Sequence, residues 1–167
     1  MEKIMIIGSG GAGKSTLARE LGEKLKIEVL HLDNLLWEPN WKQVPKDKQK
    51  IIQENIVQND QWIIDGNYGG TMDIRFQSAD TIIFMDISRV ICIYRAIKRT
   101  FQYRNKARPD MVEGNHERFD LNFYKWVWNY PKDKKPEIID KLKEMKNEKN
   151  IILLKSPKEV QSFIDTF

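Results

Sequence analysis

Short apolar runs alternate along the chain with segments in which apolar residues recur every three or four positions. The runs predict β-strands at residues 4–7, 27–32, 62–64, 81–85 and 151–154. The helical spacing predicts helices at residues 14–26, 47–58, 89–101, 117–128 and 136–146, with a last helix beginning at Pro157. Strands that are wholly apolar and alternate with helices indicate a parallel sheet covered on both faces. The pattern therefore predicts one α/β domain, residues 1–167, with a five-stranded parallel sheet in a three-layer sandwich.

Composition narrows the class of protein without naming a partner. The 167 residues include 28 Lys and Arg against 24 Asp and Glu, a net charge of +4 that is too small to indicate a polyanionic partner. A single cysteine, Cys92, rules out an internal disulfide, and with only two histidines there is no zinc pattern. No apolar run approaches the roughly 18 residues of a membrane helix. We therefore expect a cytoplasmic protein with no membrane partner, as a monomer or weak dimer.

A glycine-rich loop follows the first predicted strand. Residues 8–15 fit the pattern G-x-x-x-x-G-K-[ST] between a strand and a helix, which is the context that a phosphate-binding P-loop requires. The glycines let successive amides turn toward phosphate oxygens, the lysine reaches the β- and γ-phosphates, and the serine hydroxyl can ligate Mg²⁺. The predicted ATP-binding residues of this segment are Gly8, Ser9, Gly10, Gly11, Ala12, Gly13, Lys14, Ser15 and Thr16.

The same glycines also fit a dinucleotide-binding pattern. Gly8, Gly10 and Gly13 satisfy G-x-G-x-x-G, and Asp33 stands 20 residues after Gly13, where such folds hold a ribose. Lys14 and Ser15 directly after the third glycine, together with the short chain, favour the P-loop over this alternative. The dinucleotide interpretation would require NAD binding without Mg²⁺.

A basic segment follows the fourth predicted strand. Between Ile87 and Pro109 there is no acidic residue, and the basic residues are Arg89, Arg95, Lys98, Arg99, Arg104, Lys106 and Arg108. Arg95 and Arg99 are four apart, so they share one helical face and repel each other unless an anion is bound. Arginine forks fit phosphate oxygens and can neutralise charge that develops in phosphoryl transfer. A solvated basic face or a nucleic-acid patch is the alternative.

With these features, the chain resembles the adenylate-kinase-like P-loop kinases over nearly its full length, and within that group the bacterial DNA topology modulation proteins. The closer resemblance rests on motifs that are distinctive in combination. They are His31-Leu32-Asp33 with Trp37 and Trp41, residues 62–68 with Asp65-Gly66-Asn67-Tyr68, Arg108-Pro109-Asp110-Met111, and Phe119-Asp120 leading to Trp126 and Tyr130-Pro131.

The resemblance implies separate functional segments within the domain. It implies a small acceptor lobe at about residues 34–60 and an arginine-rich lid at about residues 103–120. Arg95 and Arg99 match the arginine pair that meets ATP in nucleotide kinases, and Ser156-Pro157 matches the loop that borders adenine. Arg104 and Arg108 are then expected to close over the donor as further catalytic arginines.

Two acidic residues at strand ends complete the expected site. Asp65 follows a strand that should lie beside the P-loop strand, which suits a carboxylate that holds Mg²⁺ together with Ser15. Asp33 is either a catalytic residue that orients or deprotonates an acceptor hydroxyl, or a helix cap or indirect Mg²⁺ partner. The kinases of this group carry Pro-Arg after Asp-Gly, whereas here Asn67-Tyr68 follows, and residues 34–60 contain no arginine. A hydroxyl-bearing acceptor is therefore open beside a nucleotide one.

These features together predict an ATP-dependent kinase that transfers a phosphoryl group to a small molecule or nucleotide with Mg²⁺. The alternative is a DNA-associated regulator that binds or hydrolyses ATP without a dedicated small acceptor. Steep salt dependence of DNA binding would distinguish it.

Overall fold

The computed structural model describes residues 1–104, 106 and 108–167. The strands lie at Lys3–Gly8 (β1), Val29–His31 (β2), Trp37–Glu38 (β3), Lys42–Gln43 (β4), Trp62–Asp65 (β5), Thr81–Met85 (β6) and Asn150–Leu154 (β7). The helices lie at Lys14–Leu25 (α1), Leu32–Leu35 (α2), Lys46–Ile56 (α3), Met72–Ser78 (α4), Arg89–Gln102 (α5), Leu121–Asp133 (α6), Lys135–Met145 (α7) and Pro157–Ile164 (α8), with a 3₁₀ turn at Gly69–Thr71. Among these described helices, none combines the length and apolar character needed to cross a bilayer.

The main sheet has the order β2-β5-β1-β6-β7 with every neighbouring pair parallel, which confirms the predicted five-stranded sandwich. β1 is the central strand. Ile6 of β1 lies opposite Asp65 of β5, and Gly8 lies opposite Met85 of β6. The carboxyl ends of these strands therefore meet at one edge, where ligands bind in open α/β sheets.

Helices cover both faces of the sheet. Successive β1 side chains point to opposite faces, so they pack against different helices. Ile6 packs in a cluster with Leu21 of α1, while the next residue, Ile7, packs in a second cluster with Phe76 of α4. All four side chains are completely buried. This double burial explains why the strands read as continuous apolar runs.

The predicted strand at residues 27–32 is shorter in the structure. It ends at His31, and Leu32 begins α2 because its carbonyl accepts a hydrogen bond from the Leu36 amide at 2.8 Å. Beyond α2, the two-stranded hairpin of β3 and β4 occupies part of the segment expected to be irregular. Asn40 and Trp41 turn the hairpin with φ of 64° and 57°. The predicted acceptor lobe, residues 34–60, thus contains this hairpin followed by α3.

The helix expected at residues 117–128 begins four residues later. Glu117 is not helical because its amide donates to the Lys106 carbonyl at 3.0 Å. Asp120 then adopts an extended conformation, and its carboxylate accepts from the amides of Asn122 and Phe123 as an N-cap. The predicted lid, residues 103–120, precedes this cap, and Asn105 and Ala107 within it lie outside the described residues.

The N-cap gives a prediction for stability. We expect Asp120→Ala to lower the free energy of unfolding by about 1 kcal/mol, because it leaves two amides of the first turn without their acceptor. Urea denaturation of the two proteins measures the difference. Asp120→Ser should retain most of the stability, and the exposed Asp60→Ala should change it little; equal losses in all three variants would contradict the cap.

Candidate functional site

The glycine-rich loop between β1 and α1 is packed tightly against α5. Gly11 and Gly13 have φ of 77° and 102°, in the left-handed region that favours glycine. A Cβ on Gly11 would lie 2.2 Å from the backbone oxygen of Cys92 in α5. Glycine is required there by this close approach, so the loop has a defined shape before any ligand binds.

A cleft of about 1080 Å³ opens beside this loop at the carboxyl edge of the sheet. Its walls combine residues 10–16 of the loop and α1 with the end of β5, α5, the hairpin and residues 108–111. Ligand sites usually measure about 300–1,000 Å³, so this cleft is large enough for two small molecules side by side.

Lys14 lies in this cleft at the start of α1. Its ammonium group donates to the Ser9 carbonyl at 2.9 Å, across the loop. Burial lowers the pKa of Lys14, and the nearby carboxylates of Asp65 and Asp33 oppose that shift. A desolvated lysine at the N-terminus of a helix can bind an anion strongly, because water competes little for it.

Ser15, the next residue, lies between two carboxylates. Its Oγ is 2.7 Å from Asp65 Oδ2 and 3.0 Å from Asp110 Oδ2. A hydroxyl has one hydrogen to donate, so it can satisfy only one of these oxygens at a time. Asp65 also pairs with His31 Nδ1, and its carboxylate is thereby fixed in orientation.

The oxygen atoms around Ser15 suit Mg²⁺. Within the described part of the chain, no three His, Cys, Asp or Glu side chains converge to hold a metal by themselves. Mg²⁺ does not need such a cage, since it binds through one or two carboxylates, retained waters and substrate phosphates. The Ser15 hydroxyl and the Asp65 carboxylate therefore fit the ion, as residue types and as neighbours.

Two of the predicted arginines reach the cleft from α5. Arg95 donates to the Ala12 carbonyl of the loop at 3.1 Å. Arg99 donates to Glu117 at 3.2 Å, and its guanidinium lies 5.5 Å from the centre of the Phe123 ring. Burial lowers the pKa of Arg99, and the neighbouring Arg108 lowers it further. The structure thus brings both side chains to the P-loop side of the cleft.

Arg108 is the most heavily paired cation of the cleft. Its guanidinium lies 3.3 Å from Asp33, 3.5 Å from Asp110 and 3.3 Å from Glu117, although its side chain is only 8% exposed. Burial alone would lower the pKa of Arg108, but the three carboxylates raise it above its ordinary value. The Arg108 guanidinium therefore joins the predicted lid to α2.

The remaining predicted site residues are less central. Arg104 is exposed and pairs its backbone with Glu117, and it does not line the cleft as the described residues define it. Ser156 caps α8 by accepting from the Glu159 amide at 3.2 Å. Pro157, by contrast, lines the cleft.

Asp33 lies in the cleft beside Tyr68 and Arg108. Its Oδ1 accepts from the Tyr68 hydroxyl at 2.7 Å, and its Oδ2 accepts from Arg108 at 3.3 Å. Tyr68 in turn accepts from Trp37 Nε1 at 2.8 Å. The carboxylate is still 41% exposed. His31, not Asp33, is the N-cap residue of α2, so the helix-cap interpretation of Asp33 is wrong.

Asn67 and Arg75 shape the loop after β5. Asn67 bonds both the amide and the carbonyl of Gly8, at 3.2 and 2.8 Å, and so joins the ends of β5 and β1. Arg75 is fully buried and donates to the carbonyls of Gly66 and Asn67. Burial lowers the pKa of Arg75 to about 9. Because its guanidinium donates to these backbone carbonyls, Arg75 is not free to bind an anionic ligand.

The hairpin and the lid are joined by Asn115. This side chain is 1% exposed; its Oδ1 accepts from the Trp41 amide at 2.6 Å and its Nδ2 donates to the Glu38 carbonyl at 2.9 Å. The Trp41 indole donates to the His116 carbonyl at 3.2 Å, and Arg118 lies 5.2 Å from the Trp41 ring. The two elements therefore form one wall of the cleft.

Sequence reasoning did not give a role to several of these residues. Asp110 and Tyr68 bind other side chains of the site, Asn115 binds the backbone of the hairpin, and His31 orients Asp65. Asp110 and Tyr68 belong to the motifs on which the family resemblance rests, so those motifs could have marked them as site residues. Asn115 lies in a polar segment beside Gly114, and no sequence pattern marks it.

The chain has the fold of P-loop kinases. A shikimate kinase from Acinetobacter baumannii superimposes with a TM-score of 0.66, at 15% identity over 99% of this chain and 90% of that one. A deoxyadenosine kinase from M. mycoides superimposes with a TM-score of 0.52, at 20% identity over 98% and 94% of the two chains. In sequence, the chain is 27% identical over 133 residues to the Bacillus subtilis protein YqaC, covering 77% of this chain and 72% of YqaC. No protein-family model matches it.

The joint between hairpin and lid gives a second prediction. We expect Asn115→Ala to lower the free energy of unfolding by about 1–3 kcal/mol, because the Trp41 amide and Glu38 carbonyl lose a buried partner. Hydrogen exchange should also become faster at the Trp41 amide. The exposed Asn59→Ala serves as the control, and unchanged exchange at Trp41 would contradict the assignment.

Proposed function

We propose that the protein is an ATP-dependent kinase that transfers the γ-phosphoryl group to a hydroxyl of a small molecule. The observation that carries the proposal is the placement of Asp33, a half-exposed carboxylate held by Tyr68 and Arg108 in the cleft that also contains Lys14. A P-loop alone would support nucleotide binding. An oriented carboxylate in the same cleft adds a group that can accept a proton from an acceptor hydroxyl.

The donor side is assigned to the glycine-rich loop and the α5 arginines. We assign residues 8–16 to the phosphates of ATP, with Lys14 on the β- and γ-phosphates. Arg95 and Arg99 would neutralise charge on the transferred group, for which their position beside the loop is suitable. Pro157 would border the base, with Ser156 fixing the start of α8.

Ser15 and Asp65 are the residues we assign to Mg²⁺. Asp110 adds a third oxygen ligand group at the same hydroxyl, 3.0 Å away. Arg108 and the hydrogen bond from Ser15 hold the pKa of Asp110 below its ordinary value, although burial alone would raise it. A bound Mg²⁺ would neutralise negative charge on the phosphates. The protein's own contribution is to hold these carboxylates in place, through Ser15 for both and through His31 for Asp65.

The acceptor side favours a hydroxyl over a phosphate. Asp33 and Tyr68 lie beside Trp37 there, so the acceptor meets a carboxylate and aromatic rings. Arg75 is occupied by backbone carbonyls, and Arg108 is neutralised by three carboxylates. Arg104 was expected to close over the donor but does not line the cleft that the described residues form. It would reach the donor only if the lid moved toward the glycine-rich loop. Binding the acceptor beside the donor would supply orientation, and the lid would exclude water.

The finer family relationship is also part of the proposal. The set of motifs at residues 31–41, 62–68 and 108–111 supports a place near the DNA topology modulation proteins, within the adenylate-kinase-like group. A DNA-associated role would use the basic segment, but Arg95, Arg99 and Arg108 line the cleft. We therefore rank phosphoryl transfer first. Weak, salt-insensitive DNA binding would agree with that ranking.

Loss of the P-loop cation tests the donor assignment. We expect Lys14→Ala to abolish ADP release from Mg·ATP in the presence of nucleosides, nucleoside monophosphates and polyols as an acceptor panel. The measurement is a coupled ADP assay, with Lys24→Ala, on the same helix, as the matched control. Unchanged ATP affinity and turnover in Lys14→Ala would reject the P-loop assignment.

Replacement of Asp33 tests the acceptor assignment. We expect Asp33→Asn to lower kcat by about 10²–10⁴-fold, because the amide cannot accept the hydroxyl proton, with little change in the affinity for ATP. Asp60→Asn, at an exposed turn, is the control. A kcat within about twofold of wild type would remove Asp33 as the base. Equal loss of ATP affinity would instead favour an indirect role at Mg²⁺.

A further inference from the structure

The outer face of α5 exposes a continuous row of apolar side chains. Val90, Tyr94, Ile97 and Phe101 are 62%, 64%, 37% and 70% exposed. Their spacing of four, three and four residues puts them on one side of the helix, as in the contact seam of a coiled coil. Since this row is unusual for a helix that otherwise packs well, it indicates an interaction surface.

Neighbouring aromatic rings extend the row at both ends. Trp128 is 45% exposed and lies under Arg89, whose guanidinium is 4.1 Å from its ring centre. Phe119 is 64% exposed and lies 5.1 Å from the ring of Tyr124, whose hydroxyl is 2.6 Å from Thr100. We call the row with Trp128 and Phe119 the α5 patch.

The α5 patch has the size that a stable pairing needs. Since an aromatic side chain covers about 150–250 Å² and an aliphatic one somewhat less, the exposed fractions correspond to an area on the order of 700 Å². A standard interface buries about 800 Å² on each partner, so the patch and its polar edge suffice for one.

We infer that the α5 patch pairs two copies of this chain through antiparallel α5 helices. The spacing of four, three and four reads the same in both directions, so the row is complementary to itself about a two-fold axis. Val90 of one copy then meets Phe101 of the other, and Tyr94 meets Ile97. Each pairing sets a smaller side chain against a larger one.

The charges of α5 agree with this pairing. The row itself contains no charged side chain, so the contact between the two rows sets no cation against another. Arg89 is already stacked on Trp128, which leaves it less available for an acidic partner. A second copy consequently explains the face better than an acidic helix or an anionic membrane does.

The pairing goes beyond the proposed activity and has a consequence for the cleft. The opposite face of α5 carries Arg95 and Arg99, which contact Ala12 and Glu117. A second helix packed on the outer face would hold these arginines more rigidly in place.

Sedimentation velocity of the full chain, from low to high micromolar concentration, tests the pairing. We expect a monomer–dimer equilibrium, and we expect Tyr94→Glu to raise the dissociation constant by about 30-fold or more because it places a carboxylate at the centre of the contact. Ile51→Glu, at a 56% exposed position of α3, is the matched control and should leave the constant unchanged. Circular dichroism checks that both variants are folded.

Cross-linking tests the antiparallel register independently. Under mild oxidation, the double variant Val90→Cys and Phe101→Cys should give a covalent dimer, whereas Phe101→Cys alone should give much less, and the native Cys92 is buried. A wild-type protein that is monomeric at every concentration would overturn the proposal. If that monomer bound anionic vesicles, the patch would be a membrane contact and not a dimer contact. Equal effects of Tyr94→Glu and Ile51→Glu, or equal cross-linking by the single and double cysteine variants, would overturn the proposal as well.

Discussion

The buried guanidinium of Arg108 is the interaction on which the arrangement of the cleft depends. It is surrounded by three carboxylates from separate places: Asp33 after β2, Asp110 two residues away, and Glu117 near the end of the lid. Bringing such carboxylates together without a cation would be costly, because desolvated like charges repel. One arginine therefore sets the distance between residues 108–117 and the start of α2.

A second set of contacts extends this arrangement to the P-loop. Asp110 reaches Ser15, Ser15 reaches Asp65, and Asp65 is oriented by His31. The Ser15 hydroxyl, which donates to one of the two carboxylates at a time, thus connects the predicted lid to the residues that suit Mg²⁺. Because these side chains depend on one another for hydrogen bonds, the predicted lid and the P-loop end of the cleft are electrostatically coupled.

Much of the fold could be predicted because its determinants are local. Strands such as 81–85 are short apolar runs, and the loop before Lys14 has a pattern that few structures other than a P-loop require. The hairpin of β3 and β4 could not be predicted, because it is held by Asn115, which lies more than 70 residues later. The start of α6 was displaced for a similar reason: Glu117 is drawn into contacts with Lys106 and Arg108.

The same distinction between local patterns and long-range contacts applies to the site. Lys14, Ser15 and Asp65 were predictable since they stand at strand ends or in a spaced motif, and sheet topology alone brings them together. The neutralised state of Arg108 and the backbone role of Arg75 depend on tertiary contacts, so the sequence alone does not show that neither guanidinium is available to a ligand. The sequence could identify which residue types are present near the cleft, but not which of their charges remain unpaired.

The contact of Asn115 with the hairpin has a thermodynamic consequence. The hairpin borders the proposed acceptor side through Trp37, and the predicted lid borders the proposed donor side through Asp110. If one bound molecule draws the joined hairpin and lid inward, the entropy cost of ordering them is not incurred again when the other molecule binds. Affinity for either ligand should then depend on the presence of the other, by the same factor in both directions, because linkage between two sites is reciprocal.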